Sequence, residues 1–68
     1  MEKHICVTGT SIVSWKDAIV QTINEASKTI DYITQIKILE QTAKITGKKI
    51  SEYFVKLELT FTIDRDRD

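Results

Sequence analysis

Residues 51–64 read SEYFVKLELTFTID. Tyr53, Val55, Leu57, Leu59, Phe61 and Ile63 are apolar, while Lys56, Glu58, Thr60 and Thr62 between them are polar. A period of two is that of a β-strand with one face buried and the other in water. Phe54 departs from the alternation and sets a benzyl group on the face that should be wet. Just upstream, Thr46-Gly47-Lys48-Lys49 reads as a turn. Before it lies a further period-two run, with Ile36 and Ile38 on one face and Gln35, Lys37 and Leu39 on the other, continuing through Ala43 to Ile45. Two such runs about a short glycine-containing turn predict an antiparallel hairpin.

The N-terminal half holds two more elements. His4 to Thr8 is short and β-prone, with Ile5 and Val7 sharing a face, and Gly9-Thr10-Ser11 reads as a break after it. Ser14 is then a good helix N-cap. Asp17 three residues on gives a weak capping box and a negative charge in the first turn. Trp15, Ala18, Ile19, Thr22, Ile23, Ala26 and Ile30 recur at steps of three and four, which predicts an amphipathic helix of about four turns. The order is therefore β-α-β-β, an α+β fold in which a three-stranded antiparallel sheet buries one face against one helix.

At 68 residues the chain has room for one domain, here taken as 1–68 with 62–68 as a polar C-terminal tail whose DRDRD end has nothing to bury. A domain of this length buries only about 60% of the surface its unfolded chain exposes, and small domains offset this with disulfides, metals or self-association. Cys6 is the single cysteine and His4 the single histidine, so neither an internal disulfide nor a four-ligand zinc site is available. Self-association is the remedy left, and Phe54 and Leu39 on the second sheet face are candidates for an interface or a ligand site.

Ten basic and ten acidic side chains balance. That argues against a nucleic-acid partner, which calls for a basic excess. No apolar run approaches the ~20 residues of a membrane span, and the N-terminus lacks a signal-peptide core. With the free thiol, this points to the cytoplasm and to no membrane partner. No nucleophile–base pair stands out, and His4 has no evident orienting acid. Glycines at positions 9 and 47 alone make no phosphate-cradling loop. Asp64, Asp66 and Asp68 lack the glycine and closing glutamate of a calcium loop. The residues call for no enzyme.

The whole pattern resembles the dodecins. The resemblance rests on Thr8-Gly9-Thr10-Ser11, on the helix start SWKDAI and helix end KTID, and on Tyr53, Val55, Leu57, Leu59 and Phe61 in the final strand, and it covers Lys3 to Ile63. It implies a sheet curled around one helix and a hollow homododecamer. It also implies storage of a small planar ligand, flavin (riboflavin, FMN or FAD), held in pairs near two-fold axes. The tryptophan that stacks on the flavin in the family corresponds here to Gln35. The glutamine that bonds the flavin's polar edge corresponds to Phe54. Of two acidic positions that follow the tryptophan, one is kept as Glu40 and the other is replaced by Lys37. Aromatic and amide thus stand in exchanged places. Either Phe54 supplies the flat surface and Gln35 the hydrogen bonds, or flavin binding is lost and Phe54 packs at a subunit contact.

Overall fold

The computed structural model describes residues 2–63, so the DRDRD tail lies outside the described residues. Strand β1 spans Glu2–Ser11, helix α1 Trp15–Ala26, strand β2 Ile33–Thr46 and strand β3 Lys49–Thr62. The strands form one antiparallel sheet in the order β1-β3-β2, which places the long alternating strand in the centre. The β-α-β-β order and the two-layer arrangement are those the sequence implied.

The helix starts where the cap chemistry requires. Ser14 has extended backbone, and its side chain accepts a 3.0 Å hydrogen bond from the Asp17 amide. Ser11, buried at the end of β1, donates a 2.6 Å bond to the Asp17 carboxylate and accepts one from the Val13 amide. Strand end and first helical turn are thereby tied together. The helix stops at Ala26, with Ser27 as its C-cap, so it has 12 residues and about three turns instead of four. Ile30 continues the stripe only as a turn, its amide bonding the Ala26 carbonyl at 2.9 Å.

The expected break at Gly9 is absent, because β1 runs on to Ser11. Gly9 serves a different purpose. A Cβ there would run into the Thr22 hydroxyl, so the glycine lets α1 lie close against β1. At the hairpin, Gly47 has φ +66° and Thr46 pairs with Lys49 across a two-residue loop. A positive φ at the first central residue alone is the type II′ pattern, which suits the twist of the flanking strands.

The buried core is small: Ala18, Val55, Leu57 and Leu59, with Ile5, Val7, Trp15, Ile19, Ala26, Ile33 and Ile36 packed partly against it. The helix lies over β1 and β3 and leaves much of β2 uncovered. Ile38 is therefore 45% exposed, although alternation had paired it with Ile36 towards the core. The geometry explains this. Twelve helical residues span about 18 Å, while 14-residue strands reach about 46 Å. Beyond the helix the hairpin stands free, with Ile45 and Ile50 exposed, and Ile12 and Val13 project from the loop that follows β1. The radius of gyration is 14.3 Å, against about 11 Å for a compact domain of this length.

Candidate functional site

Because α1 covers the side of the sheet bearing Val55, Leu57 and Leu59, the intervening residues of β3 face away from it. This open face is built in rows across the three strands. His4, Thr60 and Gln35 make one row, and Cys6, Glu58 and Lys37 the next. Thr8, Lys56 and Glu40 follow, then Thr10, Phe54 and Thr42. The His4 Nδ1 lies 3.0 Å from the Thr60 hydroxyl, which bonds the first row together across β1 and β3.

All four candidate residues, Gln35, Lys37, Glu40 and Phe54, therefore share one face. A bulge makes this possible. Lys37 is odd-numbered and Glu40 even, and strict alternation would place them on opposite sides. The ladder slips between Ile38 and Glu40, leaving Leu39 without a partner in the register. One extra residue reverses the alternation. Glu40 and Thr42 consequently join Gln35 and Lys37.

The structure brings Phe54 and Glu40 into one groove of about 410 Å³, lined also by Thr8, Thr10, Thr42 and Lys56. Phe54 is half-buried there, flanked in register by two threonines, so one ring face is apolar and its rim carries hydroxyls and charge. Thr8, Thr10, Thr42 and Lys56 were not singled out from sequence. The even-numbered spacing from Phe54 would have found Lys56, while the β1 and β2 members depend on the register. The wall is braced from behind. Trp15 donates its indole N–H to the Thr42 carbonyl at 2.9 Å, and its ring meets Tyr53 edge-on at 4.9 Å between centroids.

Gln35 lies elsewhere, in a groove of about 520 Å³ with Ile23, Ile30, Tyr32 and Ile36. Tyr32 holds φ at +60°, a conformation rare for a side chain of this size, as the chain turns into β2. Gln35 pairs with Thr60 and Phe54 sits six positions away on β3, which is about 20 Å along the strand. Within one chain the two exchanged residues do not meet. Lys37 lies between them and lines neither groove. A third groove, of about 700 Å³ between β1 and α1, contains none of the four. Among the described residues no cluster of three or more His, Cys, Asp or Glu side chains is placed to hold a metal.

Solved structures of the same shape place the chain among known proteins. A dodecin from Streptomyces davaonensis is similar at 23% identity, with a TM-score of 0.88 and 96% of each chain covered. An arginine-to-alanine mutant of the T. thermophilus dodecin is 26% identical, with a TM-score of 0.89 over 96% of this chain and 97% of that one. A calcium-chelating antigen of Mycobacterium tuberculosis, named calcium dodecin, is 29% identical with a TM-score of 0.80, covering 100% of this chain and 97% of that one. No curated protein matches the sequence. The dodecin family model matches residues 2–64, nearly the whole chain, and the protein belongs to the dodecin family.

Proposed function

We propose that this chain is a homo-oligomeric binding protein, a dodecin-type homododecamer that holds a small planar ligand, flavin being the ligand the family implies. The carrying observation is Phe54, an aromatic half-buried on an otherwise polar sheet face, in a groove rimmed by Thr8, Thr10, Thr42, Glu40 and Lys56. A flat apolar surface with hydrogen-bonding groups at its edge suits an isoalloxazine ring. Self-assembly is supported by the four-residue core and by the exposed Ile12, Val13, Ile45 and Ile50 at the hairpin end. A monomer would leave these in water.

The fit to flavin is partial. Phe54, Glu40 and Lys56 suit its faces and edges, while Gln35 lies outside that groove. This separation supports the second reading, a structural dodecamer that has given up flavin and uses Phe54 for subunit packing.

The experiment is a titration of riboflavin and FMN, followed by flavin fluorescence, into protein refolded free of ligand. Saturable quenching near one flavin per subunit is the result expected for a working site. Its absence at micromolar concentrations of an assembled protein would leave the structural reading. A light-scattering mass near that of a monomer would remove both.

A further inference from the structure

The Phe54 groove spans two rows of the open face. One is Thr10, Phe54 and Thr42, and the other is Thr8, Lys56 and Glu40, about 7 Å along the strands. Neither Glu52 and Lys44 on the hairpin side nor Glu58 and Lys37 on the other side line it. A planar ring laid on Phe54 therefore directs the rest of its molecule over the second row. That row offers one hydroxyl, one carboxylate and one ammonium. Lys56 stands opposite Glu40 in the register, yet no ion pair joins them; among the described residues the ion pairs are His4–Glu2 and Lys28–Glu25.

From this arrangement we infer that Lys56 sets the specificity of the groove, favouring a flavin whose side chain ends in phosphate over one that ends in a hydroxyl. Each group of the second row then has a partner. The Glu40 carboxylate and the Thr8 hydroxyl accept hydrogen bonds from the polyol hydroxyls, and the Lys56 ammonium donates to the phosphate oxygens. Lys56 is the cation among the described residues that line the groove. Its four-carbon stem lets the charge swing away from Glu40 and towards the anion. With riboflavin the ammonium meets neutral hydroxyls only, and the bond between two charged groups is lost. Such a bond is worth enough for a preference of about tenfold.

Glu40 works against that preference, since a carboxylate in the same row repels a phosphate. The two side chains pull the selectivity in opposite directions, and each can be removed without touching the ring on Phe54. Lys37 and Glu58, one row on, stand opposite each other and outside the groove, so they serve as a control for charge that acts only at a distance. This inference rests on the flavin reading proposed above and narrows it to the phosphorylated ligand.

The test is a fluorescence titration of riboflavin and of FMN into the native chain and into Lys56→Met, Lys56→Arg, Glu40→Gln and Lys37→Met. Each protein is refolded free of ligand, and its mass is measured alongside. The native chain is expected to hold FMN about tenfold more tightly than riboflavin. Lys56→Met should abolish that preference and Lys56→Arg should keep it. Glu40→Gln should raise it, and Lys37→Met should leave it unchanged. Equal affinities in the native chain overturn the inference, as does a preference that survives Lys56→Met or falls equally in Lys37→Met. Should Lys56→Met fail to assemble, the salt dependence of the native chain decides. FMN affinity should then fall with ionic strength while riboflavin affinity holds, and a ratio indifferent to salt overturns the inference. An assembled native chain that binds neither ligand would instead overturn the flavin reading itself.

Discussion

Trp15 and Thr42 are joined by a 2.9 Å hydrogen bond from the indole Nε1 to the carbonyl oxygen, linking the first residue of the helix to the β2 residue that stands opposite Phe54. The bond passes from the helix layer to the sheet, and it ties the start of the helix to the strand that lines the Phe54 groove. Replacing Trp15 by phenylalanine keeps an aromatic against Tyr53 and removes the donor. The expected loss is about 1 kcal/mol, the usual net worth of one such bond. A urea midpoint at fixed protein concentration reads it, and an unchanged midpoint would show that the bond contributes nothing in solution.

Gly9→Ala should destabilise by about 1–3 kcal/mol, the range for forcing an extra group into a packed contact. The added methyl meets Thr22, whose hydroxyl is held by a 2.7 Å bond to the Ala18 carbonyl. Thr22→Ala in the same chain should recover much of the loss, because the obstructing oxygen is gone. Equal destabilisation with and without Thr22 would locate the cause in the strand backbone instead.

Phe54→Ala should weaken flavin binding by about 1–3 kcal/mol if the ring stacks on the ligand. Gln35→Trp should strengthen it by restoring the wider ring where the family carries one. Fluorescence titration of both variants, with mass measured alongside, separates the roles. Loss of the assembly in Phe54→Ala, with binding per intact assembly unchanged, would make Phe54 a packing residue.

Gly47→Ala should cost about 1 kcal/mol, since φ of +66° is strained for a residue with a Cβ. Nothing lies within 4 Å of the position a Cβ would take, so the effect is one of backbone conformation alone. Asparagine, which tolerates this region better, should lose less. Thermal melts of the two variants at equal concentration would show the order, and a reversed order would rule out this account.

The helix cap at Ser14, the hairpin about Gly47 and the core face of β3 were legible because each follows from local chemistry or from one strand's alternation. What escaped depended on partners. Gly9-Thr10-Ser11 looks like a break in isolation, and only the passage of Thr22 over Gly9 shows why a glycine belongs inside a strand there. Ile38 shares the parity of Ile36, but the helix that would cover it lies over β1 and β3. The candidate residues could be named from resemblance, yet their common face could not be read, since the slip at Leu39 leaves no mark in the composition around it. The roughly 20 Å between Gln35 and Phe54 likewise needed the pairing register.

The principal extents are 55 × 19 × 12 Å, and the thinnest is scarcely more than a helix laid on a sheet. In a slab of that thickness most side chains lie within one layer of solvent. Folding and association then draw on the same apolar surface, so mass action enters the stability itself. Dilution should act on this protein as a denaturant does, lowering the melting temperature as the concentration falls, whereas a chain with a closed core would melt at the same temperature throughout.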